Sequence, residues 1–225
     1  MKTPSIIASV IPWLVPILMI ASCHKDAVNP PDSQQPSRGL LETLIGQLPE
    51  EPVSPAELAG LLWMREEEKL ARDVYLTLNE TWNRQVFDHI STSEQSHMDG
   101  IRFLLEKYHI EDPVVTDDIG HFSNPVLQTL FDSLSGAGSN RVVAALETGA
   151  WIEELDLLDL EDRMEMTDNQ DILLVYDNLM KGSRNHLRAF VRNLEMEGVT
   201  YLPQLLTEEQ YLAIIQSPQE TGLDG

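Results

Sequence analysis

Glu94 and His97 stand three residues apart within an apolar pattern, Phe87, Ile90, Ile101, Leu104 and Tyr108, that recurs at spacings of three and four. On a helix this spacing aims a carboxylate and an imidazole from one stripe at one spot. Glu68 sits inside a second such stripe, made by Leu61, Met64, Ala71, Tyr75, Leu78 and Trp82. Glu153 lies at the centre of a third, among Val142, Leu146, Ala150, Leu157, Leu160 and Met164. Its neighbour Glu154 falls about 100° to one side and Asp156 about 60° to the other. His186 shares a fourth stripe with Tyr176, Leu179, Ser183 and Phe190. Three carboxylates and two imidazoles therefore take core positions near the middle of four helices.

Buried carboxylates in one cluster repel each other and lose hydration, so without compensation they protonate or destabilise the fold. Divalent cations remove that penalty. A mixed Glu and His set suits iron, manganese or zinc, whereas an all-oxygen set would favour magnesium or calcium. Each residue alone has a plainer reading. A lone Glu reaches solvent from a helix edge, a lone Glu-x-x-His is coincidence, and a lone His186 is a hydrogen-bonded core histidine. Their agreement in depth across four helices favours a metal site.

The elements that would position these residues follow from the same periodicity, with helices over roughly 55–79, 85–108, 140–166 and 170–196. Ser54, Pro55 and Glu57 form a capping box at the start of the first. Short turns join the first pair and the last pair of helices. Between the pairs, thirty residues from 109 to 138 carry Asp112-Pro113, Gly120, Asn124-Pro125 and Gly136-Ala137-Gly138, with one short helix at about 125–134. This connection is long enough to run the roughly 38 Å of a 25-residue helix. Gly198 stops the fourth helix, and Thr207 to Gln210 starts a short terminal one. The expectation is an all-α, ferritin-like four-helix bundle with one long crossover between helices 2 and 3 and a short C-terminal helix.

Several segments look like a family of uncharacterised ferritin-like domains found in prokaryotic secreted and lipoprotein chains, within the di-iron-carboxylate ferritin and rubrerythrin superfamily. They are Met64 to Asp73 (MREEEKLARD), Ser93 to Met98 (SEQSHM), Ile152 to Asp156 (IEELD) and Gly182 to Phe190 (GSRNHLRAF). Glu68-x-x-Ala71-x-x-x-Tyr75 also resembles the first helix of rubrerythrins and bacterioferritins. The resemblance implies a ligand set of one Glu from each of two helices, Glu68 and Glu153, and a Glu-x-x-His from each of the other two. Glu94-x-x-His97 is the first of these. The second reads Ser183-x-x-His186, so one expected carboxylate is missing. Four glutamates neutralise two divalent ions, whereas three leave one positive charge over. Asp156 or a bound hydroxide could balance it; otherwise the site holds one ion, or none tightly. The resemblance supplies no settled activity.

Composition narrows the setting. The chain of 225 residues carries 15 Lys and Arg against 37 Asp and Glu, a net charge of -22. That excludes the basic footprint of nucleic-acid binding. Much of the acidity reads as solvated surface, including the seven acidic residues between Glu153 and Glu165. The single cysteine, Cys23, ends a segment Ile20-Ala21-Ser22-Cys23 that resembles a bacterial lipobox, after an apolar run interrupted by Pro12 and Pro16. The expected organisation is a lipoprotein signal peptide over about residues 1–22, with Cys23 lipidated, and a Pro/Ser/Gln-rich tether over about 23–53 with a short helix near 40–48. The ferritin-like domain then spans about 54–216 and a flexible tail 217–225. This places the protein in the cell envelope, anchored to the membrane, with metal ions as partners and a homodimer allowed.

The leading functional expectation is a site for one or two ions, iron (di-iron) or manganese, handling oxygen, peroxide or iron in a ferroxidase- or peroxidase-like manner. Tyr75 could be its redox or hydrogen-bonding neighbour. An electron path through thiolate-bound iron is excluded, because there is no Cys-x-x-Cys. The alternative is a non-enzymatic acidic helical module, with a structural or vestigial metal site, that binds a partner.

Overall fold

A computed structural model describes residues 38–221, and among these the protein is entirely helical. The signal peptide, Cys23 and the first half of the tether expected from the sequence lie outside the described residues. Seven helices are present among those described: α1 (Arg38–Gln47), α2 (Pro55–Trp82), α3 (Gln85–Lys107), α4 (Pro125–Gly138), α5 (Val142–Glu165), α6 (Gln170–Met196) and α7 (Glu208–Gln216). None of these is long and apolar enough to cross a membrane.

The start of α2 is fixed by its cap. Ser54 Oγ accepts from the Glu57 amide at 3.2 Å, and Glu57 Oε2 accepts from the Ser54 amide at 2.7 Å. The other oxygen of Glu57 accepts from Thr167 at 2.5 Å, which ties this helix end to the α5–α6 turn. α2 ends at Asn83, whose left-handed φ of 49° suits an asparagine. Asn124 caps α4 and Pro125 opens it, and α4 runs one turn beyond the expected 134 to Gly138. There its last carbonyl accepts from the Trp82 indole at 2.9 Å.

α2 packs on α3 and α5, and α6 packs on α5 and α3. Two apolar clusters fill the space between them. One holds Leu61, Met64, Ile101, Leu104, Leu160, Val175, Tyr176 and Leu179. The other holds Ala71, Tyr75, Leu78, Phe87, Ile90, Leu146, Ala150, Leu157, Leu187 and Phe190. Reading each helix from one cluster to the other gives its direction. α2 and α6 run from the first cluster to the second, whereas α3 and α5 run the opposite way. The crossover from α3 to α5 must therefore return the chain along the full helix length. Each fully buried Leu, Phe or Met contributes about 1.5–3 kcal/mol, so the two clusters carry the stability and the layer between them is free to be polar. Close approach of α5 to α6 needs Gly149, since a Cβ there would meet the Phe190 ring at 2.4 Å.

The crossover lies against α2 through charge. Arg65 grips Asp112, with contacts of 2.9 to 3.2 Å. Glu66 accepts from the amides of Ser123 and Asn124 at 2.5 and 3.2 Å. Lys69 binds Asp73 at 2.5 Å and donates to the Asp118 carbonyl at 2.8 Å. Asp73 also accepts from the Gly120 amide at 2.9 Å and from Arg72. These buried charges are each satisfied by a partner on the crossover or one turn away, as charges removed from water must be.

Both ends of the described segment are more tied down than the composition suggests. Leu41 and Ile45 of α1 are buried, and α1 packs on α3. Lys107 Nζ collects the carbonyls of Ile45, Leu48 and Pro49 at 3.1 to 3.3 Å and reaches Asp171 at 2.6 Å. The second half of the expected tether is thus docked rather than free. Beyond α7, Glu220 pairs with Arg184 at 2.5 Å and with Arg188 at 3.1 Å, so the expected tail is fastened to α6 as far as this residue.

Candidate metal centre

The layer between the two apolar clusters contains Glu68 from α2, Glu94 and His97 from α3, Glu153 from α5 and His186 from α6. All five are at most 4% exposed. The structure brings these five sequence-derived candidates together. His97 Nδ1 lies 2.7 Å from Glu94 Oε2 and 3.1 Å from Glu68 Oε2. His186 Nδ1 lies 2.9 Å from Glu94 Oε1 and 3.4 Å from Glu153 Oε2. The imidazole rings are 5.5 Å apart between centroids. Two overlapping ligand groups result, Glu68–Glu94–His97 and Glu94–Glu153–His186. The donor atoms in each lie within 4.8 Å of one another, and Glu94 belongs to both.

Direction matters as much as distance. Neither ring nitrogen of His186 has a hydrogen-bond partner, although Nδ1 is so near two carboxylates. Two ligands of one cation behave this way, because both lone pairs point at the ion and not at each other. Glu68 Oε1 and Asp156 Oδ1 are likewise buried without partners. A closed, unaided core would lose on the order of 1–3 kcal/mol for each such atom.

The electrostatics show how these side chains accommodate one another. Burial pushes the Glu68 carboxyl up to about 7, against the opposing pull of His97. Burial also raises Glu153, only partly offset by His186. Glu94 goes the other way: burial would raise it, but the His186 and His97 charges outweigh that and hold it well below the carboxylate range. The imidazoles respond in kind. Burial would lower His186, yet Glu94 and Glu153 push it up to about 10, and Glu94 and Glu68 raise His97 in the same way. The positive charge of the two imidazoles thus balances the buried carboxylates around them. The sequence pointed to a protonated carboxylate as the relief; the two imidazoles on either side of Glu94 are the larger one.

Tyr75, one turn from Ala71, donates to Glu153 Oε1 at 2.5 Å and so fixes that carboxylate. Its ring packs with Phe87 and Phe190, closing one end of the layer. Ser183, standing where a fourth glutamate was expected, hydrogen-bonds Asp156 Oδ2 and lies 3.0 Å from the Leu179 carbonyl. Burial and then the nearby Glu68 and Glu67 charges hold Asp156 well above the usual carboxylate range.

Glu154 is a different matter. Periodicity puts it at the edge of the apolar face, but it is fully buried and makes no part of this cluster. Its oxygens accept from the Tyr201 hydroxyl at 2.7 Å and from the amides of Gln204, Leu205 and Leu206 at 2.6 to 3.1 Å. It anchors the segment before α7. The acidic run from Glu153 is accordingly no solvated face in its first half: Glu153, Glu154 and Asp156 are all buried. We expect Glu154→Ala to cost about 2–5 kcal/mol in urea unfolding, because it removes the acceptor of the buried Tyr201 hydroxyl and Leu206 amide at about 1–3 kcal/mol each, while bound metal per folded chain stays unchanged. Glu153→Ala should do the reverse. Equal metal loss from both variants would contradict this division of labour.

A further buried carboxylate, Glu67, was not expected from its place beside Glu68. Its Oε2 accepts from the Trp63 indole at 3.0 Å, and its Oε1 has no partner. No apolar periodicity marks it, because the neighbour that buries it comes from α5.

A family model described as an uncharacterized protein domain (DUF2202) matches residues 57–218. The chain is 54% identical over 180 residues to the uncharacterized protein MJ0754 of Methanocaldococcus jannaschii, covering 80% of this chain and 97% of that relative. The crystal structure of that hypothetical protein aligns with a TM-score of 0.76 at 55% identity, over 77% of this chain and 99% of the other.

Proposed function

This chain belongs to the family of DUF2202 domains, and we propose that it is a ferritin-like protein that binds two iron or manganese ions inside its helices. The observation that carries this reading is Glu94, whose two oxygens each face one imidazole, at 2.7 and 2.9 Å. A carboxylate so placed would offer one oxygen to a cation on either side. Glu68 and His97 would complete one ion's ligands, and Glu153 and His186 the other's. The helix order supports the ferritin-like assignment: two pairs joined by short turns, one long crossover, and one candidate ligand glutamate from each of α2 and α5. Asp156 supports the charge balance, because it stands beside the site on α5, paired with the Ser183 hydroxyl, and a nearby cation would favour the ionised form that burial alone opposes.

A mixed carboxylate and imidazole set suits iron and manganese. Such a pair would supply redox chemistry toward oxygen, peroxide or iron(II). The protein's own part is to hold ligands and exclude water. Tyr75 orients Glu153, and Tyr75, Phe87 and Phe190 seal one end. Anchoring through a lipidated Cys23 would place this chemistry in the cell envelope. Cys23→Ser should then leave the chain unlipidated and soluble, and continued membrane association of the unmodified variant would count against the anchor.

Elemental analysis of the chain without residues 1–22 tests the central reading, followed by a peroxide-consumption assay. About two iron or manganese ions per chain are expected. A folded chain that takes up neither metal on reconstitution would favour the non-enzymatic acidic module.

A further inference from the structure

Three buried carboxylate oxygens have no partner among the described residues: Glu67 Oε1, Glu68 Oε1 and Asp156 Oδ1. The other buried acids behave differently. Glu66, Asp73, Glu154 and Asp171 all accept from amides, hydroxyls or cations. The unsatisfied oxygens are therefore not scattered; they collect where α2 faces α5.

Their order along the helices is informative. Glu153, Asp156 and Asp159 follow one another at successive turns of α5, and exposure rises along them from 1% at Glu153 through 6% at Asp156 to the half-buried Asp159. Glu67 stands alongside on α2. The Trp63 indole, one turn before it, donates to both Glu67 Oε2 at 3.0 Å and Asp159 Oδ2 at 2.7 Å, so these two carboxylates sit at one spot. The negative charges that bear most on Glu67 are Asp159 and then Glu68; those on Asp156 are Glu68 and then Glu67. The positive charge of Arg163 also reaches Glu67, but more weakly than either acid.

The other sides of the ligand layer are closed. Tyr75, Phe87 and Phe190 cover one end, and Leu61, Met64, Leu104 and Tyr176 the other. On the crossover face, Arg65, Glu66, Lys69 and Asp73 are already paired.

We propose that Asp159, Glu67 and Asp156 form the path by which a divalent cation reaches the buried ligands, passing from the half-buried Asp159 to the inward, unpartnered oxygens of Glu67 and Asp156. This rests on the metal reading of the site and extends it. A cation that must shed water on entering a dry interior needs replacement oxygens at each step, and carboxylates with a free oxygen provide them. A path lined by one sign of charge also raises the association rate, by about 10- to 1000-fold.

The test is stopped-flow mixing of the full chain with cobalt(II), whose visible absorption reports occupancy by nitrogen and oxygen ligands. Glu67→Gln and Asp159→Asn should each slow association by about tenfold or more, with final amplitude and stoichiometry equal to the unmodified chain. Unchanged rates in both variants would overturn the path. So would a loss of stoichiometry in Glu67→Gln, which would make Glu67 a ligand instead. Should Glu67→Gln fail to fold, Asp159→Asn at its half-buried position decides alone. Failure of the unmodified chain to bind cobalt(II) at all would overturn the metal reading first and the path with it.

Discussion

Glu94→Ala is expected to abolish binding of both metal ions, whereas Glu68→Ala and Glu153→Ala should each weaken mainly one. Glu94 is the one residue common to the two ligand groups. Its loss leaves one glutamate and one histidine on each side, too few donors to displace the water of a divalent ion. Removal of a hydrogen-bonding partner behind a ligand typically costs 10- to 100-fold in affinity, so a shared direct ligand should cost more than about 100-fold. The variant has a second signature. Glu94 is the largest single cause of the raised values of both His97 and His186. Without it both imidazoles should titrate lower, visible by nuclear magnetic resonance as midpoints displaced to lower pH in the metal-free chain. Retention of two ions per chain by Glu94→Ala, measured by elemental analysis, would remove the bridge from the account.

The five ligand candidates were legible because each replaces an apolar residue within an otherwise regular stripe. A helix core has a strict period, so a glutamate on it is conspicuous at Glu68, Glu94 and Glu153. Glu67 and Glu154 carried no such mark. Their burial is non-local: α5 covers Glu67 through Trp63 and Asp159, and the 201–206 segment folds back over Glu154. The stretch from Arg65 to Asp73 shows the same limit. Its charges point around the whole helix and look solvated, yet the crossover pairs with them one by one. Periodicity reports which face meets the neighbouring helices. It is silent on what a loop will bring to the opposite face. The docking of α1 escaped for a related reason, since Leu40, Leu41, Leu44 and Ile45 mark a short helix but not the neighbour it will meet.

Metal-free protein should lose stability from pH 5 to pH 8, and metal should restore it most at the higher pH. The sign follows from the shifts. Glu68 is raised from 4.5 to about 7. The folded state therefore keeps a proton that the unfolded chain has already lost, and stability falls as pH rises from 4.5 through 7. His186 is raised from 6.5 to about 10. The stability it contributes is fully present below 6.5 and is lost as pH rises through about 10, so it adds to the fall above 6.5. Glu94, held low, acts only on the acid side: its contribution is present above the ordinary carboxylate range and lost as pH drops through its folded value. At 1.36 kcal/mol per unit, Glu68 and His186 together put the loss between pH 5 and 8 at on the order of 5 kcal/mol. For a domain of this size that is a fall of roughly 10 °C or more in Tm. A divalent ion takes the place of the protons on Glu68, His97 and His186, so binding should release protons and tighten as pH rises. A hundredfold excess over Kd stabilises by about 2.7 kcal/mol, and because Kd itself improves with pH, a fixed concentration of manganese(II) should raise Tm more at pH 8 than at pH 5. Glu68→Gln separates the contributions: it should flatten the fall between pH 5 and 7 and leave the histidine part above 7. A metal-free Tm that holds or rises toward pH 8, with no shift from manganese(II) or iron(II) at either pH, would sink the internal site.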